Sequence, residues 1–185
     1  MISIMLITAL LCLLSSINAY SGGAPATVCH SMMPNHAAEA QTSKGRYQIF
    51  ISPGYYSSGT THTVLLTLVL HRFKGYLLEM RRVDDHKVIA GFSVPNGGKL
   101  LTCDGQTNAA VTHTDSSLKY NVSFTWTAPA QTVGRLQLVA TVVQNKKTFW
   151  TNITSHEIVV FGSSTTTAGC VLGILGAVAI TMLMV

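Results

Sequence analysis

Between residues 118 and 126 the chain reads Leu-Lys-Tyr-Asn-Val-Ser-Phe-Thr-Trp, apolar at every even position and polar at every odd one. A period of two gathers the apolar side chains on one face of an extended strand, a set that a helix would scatter around its circumference. The pattern recurs over residues 47–51, 75–82, 88–93, 99–103, 109–114, 135–144 and 157–161, and residues 62–70 are apolar on both faces, as a strand near the centre of a packed sheet requires. Turn-forming residues separate the runs: Ser52-Pro53-Gly54, Asp84-Asp85, Pro95-Asn96-Gly97-Gly98, Asp104-Gly105, Ala128-Pro129 and Asn145-Lys146-Lys147. No amphipathic helical period interrupts them. The spacing predicts an all-β, immunoglobulin-like β-sandwich of about eight or nine strands. Residues 20–43, rich in Gly, Pro and Ala, are expected to wrap it as irregular chain.

The ends are of another kind. All 12 Lys and Arg and all 7 Asp and Glu lie in the middle, giving it the whole +5 net charge, while residues 1–19 and 161–185 carry none. Two terminal apolar segments cannot build a multi-pass channel or transporter. Residues 1–19 read as a signal peptide, with an apolar run over 4–14 and the small-residue exit Ile17-Asn18-Ala19, so cleavage is expected after Ala19. Residues 20–161 then form one domain. Residues 162–185 combine small and polar residues with an uncharged apolar stretch over 168–185. They fit a glycosylphosphatidylinositol attachment signal, with Gly162, Ser163 or Ser164 as lipid attachment candidates, or a single transmembrane segment. Either places the domain outside the cell and ties it to the membrane, with a secreted form as the alternative.

Cys12 and Cys170 belong to the two ends, which leaves Cys29 and Cys103 in the exported domain. Two thiols in an oxidising compartment most simply form one disulfide. Asn121-Val122-Ser123 and Asn152-Ile153-Thr154 are glycosylation sequons, and the alternation places Asn121 on the water-facing side of its strand.

No catalytic constellation emerges. Gly91-Phe92-Ser93-Val94-Pro95 has proline where a nucleophile elbow needs its second glycine, and no metalloprotease, phosphate-loop or dinucleotide motif is present. The histidines, at 30, 36, 62, 71, 86, 113 and 156, match no metal-ligand spacing, with His30 and His36 the nearest to a pair. Asp84-Asp85 suits local hydrogen bonding in a turn. Arg81 and Arg82 fall on opposite faces, and the inward aromatic residues offer no stacking platform for nucleic acid. No catalytic residue, metal ligand or cofactor is therefore predicted. The basic excess suits acidic partners such as anionic lipids, microbial envelope polymers or sulfated glycans.

Several motifs jointly resemble the reelin amino-terminal (reeler) domain. They are Gly23-Ala24-Pro25 leading to Cys29, Met32-Met33-Pro34-Asn35-His36, and Phe73-Lys74-Gly75-Tyr76-Leu77-Leu78-Glu79-Met80-Arg81. Leu100-Leu101-Thr102-Cys103, Ala110-Val111-Thr112-His113, Trp126-Thr127-Ala128-Pro129 and the segment from Val139 to Trp150 continue in the same order. The resemblance implies a disulfide-bearing sandwich and a non-enzymatic extracellular binding module, in the manner of small invertebrate defence proteins that meet microbial surfaces. Alternatives within the family are an accessory to ferric-chelate reduction or metal handling and an adhesion or matrix module binding extracellular glycans or proteins.

Overall fold

The computed structural model describes residues 20–43, 46–94 and 98–162. After a 3-10 turn at Ala26–Val28 come β1 (Tyr47–Ser52), β2 (Tyr55–Tyr56), β3 (Thr61–Leu68), β4 (Gly75–Arg82), β5 (Phe92–Ser93) and β6 (Gly98–Cys103). They are followed by β7 (Gln106–His113), β8 (Asn121–Thr127), β9 (Leu136–Asn145), β10 (Thr148–Thr154) and β11 (Val159–Val160). A four-stranded sheet in the order β1-β3-β8-β5 faces a five-stranded sheet in the order β10-β9-β4-β7-β6, and β11 pairs in parallel with β2. This is the expected β-sandwich.

Alternation accounts for the core. Ile49, Ile51, Val64, Leu66, Phe124 and Trp126 from the first sheet pack with Tyr76, Leu78, Met80, Leu138, Ala140 and Val142 from the second. The Asp104-Gly105 pair closes the β6–β7 hairpin with φ of 50° and 74°, the double positive φ of a tight turn that follows the strand twist.

Several runs differ from expectation, among them residues 62–70, which bury mainly one face of β3 and leave Val69 and Leu70 exposed beyond its end. Residues 88–93 supply only Phe92–Ser93, because Gly91 turns the chain at φ 135°, where a Cβ would stand 2.2 Å from the Thr127 carbonyl oxygen. In the 118–126 run the β8 ladder begins only at Asn121, and Leu118 and Tyr120 remain half exposed despite their even positions. Strand β10 escapes the period-two pattern altogether. Phe149 and Trp150 are adjacent and both buried, and the register against β9 shifts on either side of them.

The strand directions define two ends. At one, β4 begins opposite the end of β9 (Gly75 with Val143), β6 begins opposite the end of β7 (Gly98 with His113), and β1 and β8 begin opposite the end of β3. A bridge between Phe73 and Lys119 joins the two sheets' loops there. At the other, Arg82 faces Leu136, Thr61 faces Thr127, and Leu136 bridges Ile158. The described chain finishes at this second end, where the Phe161 amide donates to the Tyr56 carbonyl.

Candidate functional site

Strand β4 is buried from Gly75 to Met80, although its sheet has only one partner sheet. Its outer face is covered by the segment before β1, which forms a strap. Gly23, at φ 101°, lets the strap lie on β7, since a Cβ there would stand 2.2 Å from the His113 carbonyl oxygen. The Ala24 amide donates to Thr112 Oγ1 at 2.9 Å, and Thr141 Oγ1 donates to the Met32 carbonyl at 2.6 Å. The Cys29–Cys103 disulfide fixes the middle of the strap to the end of β6.

Beneath the disulfide sits Glu79, fully buried. Arg81 Nε donates to Glu79 Oε2 at 2.8 Å, and Arg81 Nη2 donates to the strap carbonyls of Cys29 (2.9 Å) and His30 (3.3 Å). Glu79 Oε1 lies 3.9 Å from Cys103 Sγ, a packing contact because a disulfide sulfur carries no hydrogen. Burial pushes the Glu79 carboxyl up to about 6, against the opposing pull of Arg81.

Toward the first end of the sandwich the strap stands off the sheet and leaves a cleft of about 370 Å³. Ala24, Pro25, Val28, Met32, Met33 and Pro34 line one side and Tyr76, Leu77, Thr141 and Val143 the other, with Lys74, Lys146, His36 and His113 around the mouth. No Asp or Glu lines it. The Tyr76 amide donates to His113 Nδ1 at 3.1 Å, so Nε2 carries the proton and donates to the Tyr20 carbonyl at 3.2 Å. Burial lowers the His113 pKa, and burial followed by the charge of Lys146 lowers that of His36. Both imidazoles are therefore neutral at neutral pH.

Charge is segregated along the molecule. At the second end Arg82 pairs with Asp85, and Arg135 pairs with both Asp84 and Glu157. At the first end only Lys119 is ion-paired, with Asp115, while Arg46, Lys74, Lys99, Lys146 and Lys147 have no carboxylate partner among the described residues. Exposed Val69, Leu70, Leu118 and Tyr120 share this end, with the Arg72 guanidinium 4.3 Å above the Tyr120 ring. The arrangement presents cations and apolar surface together.

Cys29 and Cys103 are joined as expected. Asn121 is exposed at the start of β8, and Asn152 is exposed at a bulge in β10, with a φ of 54° that asparagine tolerates. Gly162 is exposed; Ser163, Ser164 and residues 1–19 lie outside the described residues. The histidines are dispersed, with His30 exposed and His36 edge-on to Phe149 at 5.7 Å. Among the described residues the only group of three side chains placed to hold a metal is Cys29, Glu79 and Cys103, whose sulfurs are already bonded to each other. Ser93 lies in β5 opposite Thr125, in ordinary strand pairing. Sequence reasoning missed Glu79. Its signal was the spacing Glu79-Met80-Arg81, which puts an acid and a base on one face of an otherwise apolar strand.

The family model for the reeler domain matches residues 27–166. A Danio rerio protein named as a candidate ferric-chelate reductase 1 is 35% identical over 153 residues, covering 81% of this chain and 27% of the relative. The chain thus spans about a quarter of that relative's length. A Hyphantria cunea protein named as candidate defense protein Hdd11 is 33% identical over 153 residues, covering 78% of this chain and 91% of the other. The crystal structure of the human F-spondin reeler domain matches with a TM-score of 0.54 at 17% identity, covering 66% of this chain and 94% of that one, a likeness of fold.

Proposed function

Because the chain belongs to the reeler domain family, we propose that it is a non-catalytic extracellular recognition module, tethered to the cell surface, whose cation-rich end binds anionic polymers of microbial envelopes. The observation that carries this reading is the opposition of the two ends. Among the described residues, Arg46, Lys74, Lys99, Lys146 and Lys147 stand without a carboxylate partner at one end, against Lys87 alone at the other, where the described chain leads off toward its C-terminal segment. A tether following Gly162 would turn the cationic end away from the membrane that holds it. Near-full-length alignment with a relative named for defence supports the same reading. Processing after Ala19 would add the α-ammonium of Tyr20, a cleft residue, to this end.

Binding to immobilised lipoteichoic acid or lipopolysaccharide is the test. The full chain should bind more tightly than a charge-matched β-sandwich and lose affinity steeply with salt. A K74E/K146E/K147E variant should bind roughly tenfold more weakly, whereas Lys87→Glu, at the opposite end, should not. Binding no stronger than the charge-matched control sinks the proposal.

Tethering is read out separately. Treatment of expressing cells with phosphatidylinositol-specific phospholipase C should release the protein, as attachment at Gly162, Ser163 or Ser164 requires. Retention with the C-terminal segment still detectable would instead favour a transmembrane helix. Occupied glycans at Asn121 and Asn152 would be consistent with export by either route. The redox or metal-accessory alternative gains no specific geometry, since the reductase relative extends far beyond the aligned segment and no histidine joins a three-ligand group among the described residues.

A further inference from the structure

We propose that the cleft beneath the strap binds a single-chain anionic amphiphile, an alkyl chain ending in a carboxylate or a phosphate. This rests on reading the cationic end as the ligand-facing one and adds a small-molecule site to it. The volume, about 370 Å³, falls at the lower end of the roughly 300–1,000 Å³ typical of small-ligand sites and is too small to admit a polymer.

The lining specifies the ligand's two parts. Ala24, Val28, Met32, Leu77 and Val143 give an alkyl chain an apolar wall from both sides, and the thioether of Met32 adapts to irregular shape. At the mouth, Lys74 and Lys146 are exposed and have no carboxylate partner among the described residues. With no acidic side chain in the lining, a cationic head group would meet only repulsion there. His113 is committed through both ring nitrogens to Tyr76 and Tyr20, so the head group is left to the two lysines.

The experiment uses the full chain with two diazirine-bearing photoprobes, a decanoate and a decyl phosphate, and locates the cross-links by mass spectrometry. Saturable labelling within residues 24–36 and 141–146 by either head group supports the site, and the ratio of the two tells carboxylate from phosphate. A decyltrimethylammonium competitor of equal length should displace neither probe. K74E/K146E, altered only at exposed positions, should weaken labelling roughly tenfold, and Val143→Trp should abolish it by filling the cleft. Labelling that does not saturate, that the cationic competitor displaces, or that K74E/K146E leaves undiminished would overturn the inference. Failure here with polymer binding intact removes the cleft site alone, and loss of polymer binding with labelling intact removes only the proposed function.

Discussion

Replacing Cys29 and Cys103 together by alanine is expected to lower the unfolding free energy by about 4 kcal/mol. The bond closes a separation of 74 residues, and the entropy it removes from the unfolded chain grows with the logarithm of that length. For a domain of this size the loss corresponds to roughly 10–15 °C in Tm, measurable by calorimetry under non-reducing conditions. The bond also has a local role that the entropic figure does not include. It holds the strap over Glu79, so the double variant should show early proteolytic cutting within residues 20–43 while the strands resist. A protein that keeps its Tm and its strap protection without the disulfide would show that Thr112, Thr141 and Arg81 suffice as anchors.

The second large effect concerns Glu79. Its removal by Glu79→Ala should cost about 3 kcal/mol, the lower part of the range for breaking a buried ion pair, because the Arg81 side chain is still 16% exposed and can recruit water. Glu79→Gln keeps the shape and an acceptor for Arg81 Nε and should cost less. The two side chains also differ in pH response. With its pKa raised to about 6 in the folded protein, Glu79 holds a proton more tightly folded than unfolded. Its contribution to stability is therefore fully present below its unfolded value near 4.5 and is lost as pH rises through 6, an effect of about 2 kcal/mol. His36, His62 and His113 act oppositely, because burial lowers their pKa values, and their contribution fades as pH falls below 6.5. The wild-type profile mixes both trends, whereas the difference between wild type and E79Q isolates Glu79. That difference should shift by about 2 kcal/mol between pH 7 and pH 4.5. A flat difference would mean that the carboxylate is solvated, and the strap is not seated as described.

The sandwich was legible because stretches such as the one that carries β8 alternate cleanly, and the disulfide because Cys12 and Cys170 fall in segments set apart by their lack of charge. Strand β10 was illegible for a definite reason: its bulge buries Phe149 and Trp150 side by side, and a period-two search rejects adjacent apolar residues. The candidate site was hidden by sequence distance. Met32 meets Thr141 across 109 residues, so no local window contains the cleft. Net charge was readable as a sum, but its placement depended on pairings such as Arg135 with Asp84, 51 residues apart, which neutralise one end and leave the other cationic. Glu79 combined both difficulties, since only the strap makes its side of β4 an interior.

The distance between the two cysteines also has a meaning in time. Ribosomes add roughly 5–20 residues per second, so a chain delivered into an oxidising compartment presents Cys29 about 4–15 s before Cys103 follows it. Throughout that interval Cys29 has no partner of its own within the domain. The strap's seat on Thr141 is made later still. A chain exported in this way would pass through a stage with one unpaired cysteine in its domain, and the yield of correctly closed protein would depend on how well the compartment caps or reshuffles that sulfur before Cys103 arrives.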